Sequence, residues 1–253
     1  MQEIKESSKN KEDSAPFLRG IRFILGYNLT WLAIRLRLSP LHITYFNLFL
    51  GIMICIMYAW LDPAFRIVAA FSLVFWQAMD TVDGNMARAL KIRSNYGGFV
   101  DEIGGLILLA FIQFSICVGL YRFPEGSITV IDGYAGLTFS KHPEYLLIVG
   151  GFCSISMVLS RLINRIIILR FGEESVKADG SAGSNKILFN SMVSVFRNIE
   201  SLGGFQIPFI FLASIFRLLW LLVIFYFLIS AILLLGYSIK MLFSLRNQHD
   251  YLY

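Results

Sequence analysis

Charge is scarce in this sequence: 15% of its 253 residues are Asp, Glu, Lys or Arg, 57% are apolar, and the mean hydropathy is +0.67. A soluble domain of this length has no core large enough to hide that much apolar surface, so lipid must cover the remainder. A polytopic membrane protein is expected. Cysteine is also sparse. Cys55, Cys117 and Cys153 each lie in an apolar run without CxxC or metal-ligand spacing, which argues against a thiolate metal site and leaves them as small buried hydrophobes. The first residues, MQEIKESSKNKEDSAP, lack an apolar stretch ending in small side chains. No secretory signal is expected there, and residues 1–15 read as a disordered cytosolic tail. No internal repeat is visible, and charge inside the apolar runs is too rare for a transporter or channel path. The net charge of +5 and pI near 9.1 suit anionic lipid headgroups as partners and give no reason to invoke nucleic acid.

What is present is a succession of apolar runs long enough to span a bilayer, which takes about 20 residues of helix. The clearest are near 41–61, 66–83, 100–121 and 145–170. The run from Leu202 to Phe243 is about double length, with Arg217 near its middle, so it divides into two spans joined by a turn at Arg217. The expectation is an all-α bundle of six spans over 40–243, with a short cytosolic tail at 244–253. Lys and Arg gather in the amino-terminal segment and in alternate connections, notably Arg88, Lys91 and Arg93, and Arg161, Arg165 and Arg170. That bias puts both termini in the cytosol. Residues 16–39 mix apolar and aromatic side chains with Arg19, Arg22, Arg35 and Arg37, and read as an amphipathic helix in the membrane interface. The segment FGEESVKADGSAGSNK reads as a flexible cytosolic loop.

The chemistry concentrates in MDTVDGNMARALKIRSNYGGFVDEIGG, residues 79–105. On a helix, Asp80 and Asp83 share a face that Gly84, Ala87 and Arg88 continue. Asp101 is expected to open the next helix after a tight reversal at SNYGG. Three carboxylates then converge at the cytosolic ends of two neighbouring helices. Such a cluster beside lipid repels itself and needs a cation, and a hard divalent ion such as Mg²⁺ takes a few carboxylates together with substrate phosphates. Gly84 and Ala87 remove bulk so that a ligand can approach the backbone, while Arg88 and Ser94 supply donors to phosphate or sugar oxygens.

The pattern Asp-x2-Asp-Gly-x2-Ala-Arg-x8-Gly-x3-Asp, filled by Asp80, Asp83, Gly84, Ala87, Arg88, Gly97 and Asp101, resembles the signature of the CDP-alcohol phosphotransferase family. SPLHITYFN, ahead of the first span, is similar to that family's Pro-Asn-x-x-Thr segment, with His42 departing from the usual residue and Thr44 a candidate for lining the nucleotide pocket. The resemblance implies transfer of a phospho-group from a CDP-linked donor to an alcohol with release of CMP, in phospholipid synthesis, by a homodimer using Mg²⁺ or Mn²⁺. It implies that Asp80, Asp83 and Asp101 hold the metal and that Gly84, Ala87, Arg88, Ser94 and Gly97 adjoin the CDP-linked substrate. CDP-diacylglycerol is the expected donor, with a soluble CDP-alcohol and a lipid acceptor as the alternative.

The family pattern continues to a fourth aspartate that is proposed to deprotonate the acceptor, and this sequence has Gly105 there. Losing a positioned base removes about 10²–10⁴-fold in rate. Three accounts remain open: an acceptor that ionises itself, Glu102 or another cytosolic acid as stand-in, or a CDP-lipid binder with poor turnover. Glu102 lies about 100° around the helix from Asp101 and so is not a simple substitute. Arg161 and Arg165, four residues apart, form one side of a helix end and are candidates for binding an anionic acceptor.

Overall fold

The computed structural model describes residues 16–92, 94–124, 142–177, 195–196, 198–202 and 204–249. The disordered tail expected at 1–15 and most of the loop expected after Phe171 lie outside them. The principal elements are the helices α1 (Pro16–Arg35), α2 (Pro40–Trp60), α3 (Phe65–Ala89), α4 (Asn95–Arg122), α5 (Glu144–Lys177), α6 (Gln206–Phe216) and α7 (Leu219–His249). Among the described residues, α2 to α5 and α7 are long and apolar enough to cross a membrane. The fifth span expected from sequence is instead α6, an 11-residue helix of about 16 Å against a hydrocarbon thickness of about 30 Å.

Local chemistry accounts for the ends. Ser39 caps α2 in a reciprocal box: its Oγ accepts from the His42 N–H at 3.3 Å, and His42 Nδ1 accepts from the Ser39 N–H at 3.4 Å. That contact gives His42 a structural task. Arg217 ends α6 in a left-handed conformation (φ 55°, ψ 42°), the turn its position predicts. α3 runs past residue 83 to Ala89, so the whole Asp-x2-Asp-Gly-x2-Ala-Arg run is helical. The chain turns at Lys91, which has φ 53°, and not at the glycines, which lie inside α4. Ser94 caps α4, its Oγ accepting from the Gly97 N–H at 3.1 Å, so Gly97 belongs to the first turn and Asp101 to the second.

Packing order differs from chain order. α2 packs extensively on both α3 and α4 and lies between them, α4 packs on α5, α5 on α7, and α1 and α6 cover α3. Phe152 of α5 meets Phe227 of α7 at 5.1 Å between centroids, and Ile163 packs against the Ile229, Leu233 and Tyr237 cluster. Both contact positions advance together, so α5 and α7 run parallel. The connection must therefore return along the bundle. It does so from Gln206 beside Met157 to Ser214, whose Oγ lies 2.9 Å from the Tyr58 hydroxyl near the end of α2.

At that far end Arg66 is 4% exposed and donates to the carbonyls of Gly119 at 2.8 Å and Phe123 at 2.7 Å; the Gly119 oxygen also accepts the Phe123 N–H that closes α4, and the Phe123 oxygen lies past the helix end. A Cβ on Gly119 would collide with the Tyr58 carbonyl, so only glycine allows α2 and α4 to meet there.

Candidate catalytic site

The amino-terminal end of α2 is wedged between the ends of α3 and α4 that carry the acidic motif. Thr44 reaches one side: its Oγ1 donates to Asp83 Oδ2 at 2.9 Å. Tyr45 reaches the other, its hydroxyl 2.8 Å from that of Tyr96. Asp83 is 8% exposed, and its Oδ1 accepts from the Gly84 N–H. A buried carboxylate is tolerable only when its oxygens are served in this way. The Thr44 Oγ1 also lies 3.1 Å from the Pro40 carbonyl oxygen, and its one proton serves one acceptor at a time. Thr44 thus positions Asp83. Replacing Thr44 with Val is expected to lower turnover by roughly ten- to a hundredfold, the cost of a lost hydrogen bond to a charged group, while Ser restores it. Initial rates measured for both variants check this.

One turn earlier, Asp80 is half-buried, with Gln77 Nε2 at 3.4 Å from its Oδ2. Arg88 donates to Asn85 Oδ1 at 2.7 Å, and its guanidinium lies over Gly84, where an added Cβ would stand 3.4 Å from Nη1. The small residue at 84 therefore makes room for the arginine, with Ala87 half-buried beside it.

Across the wedge, Asp101 is half-buried on α4, and the exposed Glu102 pairs with Arg165 of α5. Two residues expected to face substrate thus face each other. Gly105 is half-buried, yet a Cβ there meets nothing within 4 Å. Among the described residues no three Asp, Glu, His or Cys side chains stand close enough to hold a metal ion. Asp80, Asp83 and Asp101 gather at one end of the bundle without forming a closed cage, and the insertion of α2 between α3 and α4 is the physical reason.

Arg161 is half-buried and belongs to a separate polar cavity with Glu200. Sequence reasoning missed Glu200, as it did Asn85 and the tyrosine pair. The spacing of Asn85 to Arg88 was a usable signal for the second, whereas nothing in one dimension brings Tyr45 to Tyr96.

These elements define a multi-pass helical membrane protein with an acidic, arginine-bearing motif at one end of its bundle. The family model for CDP-alcohol phosphatidyltransferase matches residues 37–171, more than half of the chain and all of the motif, and the chain belongs to that family. Comparison with curated proteins gives no match. Membership is consistent with a transferase of phospholipid synthesis, in a family whose members in general take CDP-linked substrates and divalent metals.

Proposed function

We propose that this chain transfers the phosphatidyl group of CDP-diacylglycerol to the hydroxyl of a polar alcohol. The new bond joins the acceptor oxygen to the phosphorus of the phosphatidyl group; the bond from that phosphorus to the bridging oxygen breaks, CMP leaves, and the acceptor proton passes to solvent. The observation that carries this reading is the held Asp83, with Thr44 on one oxygen and the Gly84 N–H on the other, one turn from an Arg88 lying over Gly84.

The donor set is of hard carboxylate oxygens. It fits a Mg²⁺ or Mn²⁺ ion that keeps water and completes its shell with substrate phosphates better than it fits an all-protein cage. Asp80, Asp83 and Asp101 would hold that ion, which when bound polarises the diphosphate. Arg88 offers donors to a phosphate oxygen, while Gly84, Ala87 and Gly97 keep the approach open. Ser94 spends only its oxygen on the cap, so its hydroxyl proton is left to donate. Arg165, engaged by Glu102, steers anions from the exposed rim.

A second reading, a CDP-lipid binder with slow turnover, draws on Gly105 together with the engagement of Glu102. In either case the motif end faces the cytosol, as the distribution of Arg and Lys favours. The chain crosses six times, α6 making the short fifth passage inside the bundle. α1 lies in the interface, and two copies pair as a homodimer.

Purified protein given labelled CDP-diacylglycerol, Mg²⁺ or Mn²⁺ and a panel of polar alcohols is expected to yield labelled phospholipid and CMP, and a chelator is expected to stop both. Product only from a soluble CDP-alcohol and a lipid acceptor would reverse the donor assignment. Bound CDP-diacylglycerol with no product from any acceptor would favour the second reading.

A further inference from the structure

Residues 80, 84 and 88 follow one another a turn apart along a single stripe of α3, and the motif specifies nothing at residue 85. Asn85 is nevertheless 3% exposed, on a turn of helix that otherwise buries Val82 and Met86 completely. An amide so placed needs a polar partner. Its Oδ1 has one, accepting from Arg88 Nη2 at 2.7 Å. A guanidinium only donates, so the amide oxygen and not its nitrogen must be the atom that faces Arg88.

Arg88, by contrast, is exposed. Ordering so long a side chain costs entropy, and a single contact beside water rarely offsets it, so an exposed arginine ordinarily keeps its rotamer freedom. Here two fixed features act on it together. Helical side chains lean toward the amino terminus, which carries the guanidinium back over residue 84. The glycine leaves room for it there: an added Cβ would stand 3.4 Å from Nη1 and 3.6 Å from Nη2. Asn85 then holds the Nη2 side through a hydrogen bond from a charged donor, the stronger kind. One N–H is used. The others stay available along the stripe, one turn from Asp80.

We infer that Asn85 is a positioning residue: it fixes Arg88 over Gly84, so that the guanidinium is already aimed when a diphosphate arrives beside Asp80. Ordering the arginine beforehand lowers the cost of binding. The phosphate role of Arg88 rests on the transfer reading above. The test is a double-mutant cycle, read by calorimetric titration of CDP in the presence of Mn²⁺ into the purified full-length protein. Arg88→Ala is expected to weaken CDP by at least about tenfold, the loss of a charge-assisted contact. Asn85→Leu, close in volume but without an acceptor, is expected to weaken it by about three- to tenfold. In the Arg88→Ala background the same leucine changes affinity by less than about twofold, because no guanidinium is left to aim. An asparagine that served only the fold would weaken both backgrounds alike. Asn85→Ala, which suits a helix, runs through the same cycle with the same expected outcome, so a leucine variant that fails to fold does not decide the matter. Equal losses in the two backgrounds, or full CDP affinity without Asn85 where Arg88→Ala is impaired, overturns the proposal. Unaltered affinity in Arg88→Ala overturns it together with the phosphate role of Arg88. A cycle that runs as expected, with no CMP released from CDP-diacylglycerol, upholds the positioning and counts against the transfer reading.

Discussion

Gly105→Asp raises CMP release from CDP-diacylglycerol by roughly 10²- to 10⁴-fold, the range that a positioned base contributes. The expectation rests on geometry as well as on the motif. A Cβ at 105 meets no neighbouring side chain within 4 Å, so a side chain can start from that position without a clash at its first atom. Residue 105 lies one turn beyond Asp101 on the same face of α4, the position where the motif's resemblance implies a base. Glu102 does not offer this, since it points elsewhere around the helix and is paired with Arg165. Gly105→Asn, nearly identical in volume but unable to take a proton, is the control and leaves the rate where it was. Initial rates of CMP release for the two variants and the parent decide the matter. A fall with Gly105→Asp would show that the site is built around glycine, with the acceptor supplying its own base.

The second large effect is at the first two aspartates. Asp80→Asn and Asp83→Asn are each expected to lose metal-dependent binding of CDP-diacylglycerol and to cut turnover by on the order of 10²–10³-fold, comparable to removing one preorganised electrostatic contact to the reacting group. In Asp83→Asn the amide oxygen keeps the hydrogen bond from Thr44 while the one from the Gly84 N–H and the charge are gone. A thermal midpoint close to that of the parent, together with lost Mg²⁺ or Mn²⁺ dependence in a titration, is the expected pair of results. Unchanged metal affinity in both variants would remove the carboxylates from the role given to them.

Much of this could be read in one dimension. Four spans fell within a few residues of helices α2 to α5 because length and hydropathy alone decide where an apolar chain must become helical. The shared face of Asp80, Asp83, Gly84 and Arg88 followed from helical spacing. What escaped is set by three-dimensional neighbours. The double-length apolar run does not say that its first half is only partly helical. That depends on Gly204, where a Cβ would collide with the Asn198 carbonyl, so a tight turn precedes α6. The insertion of α2 between consecutive helices is invisible to periodicity, and it is why the carboxylates sit apart. Nothing local in the sequence joins Arg66 to its two carbonyl partners on the far side of α4, and nothing local distinguishes Glu200, which lines a cavity with residues of α5 and α7.

The Arg66 clamp and the glycine contact at residue 119 have a mechanical corollary. Cation and backbone rivet the far end of the bundle, and Arg122 stacked on Trp60 at 4.5 Å adds another fastening. At the opposite extremity the ties are the buried Thr44–Asp83 hydrogen bond, an exposed tyrosine pair and an exposed acid with its arginine. The end that carries Asp83 and Asp101 is thus the less firmly riveted of the two.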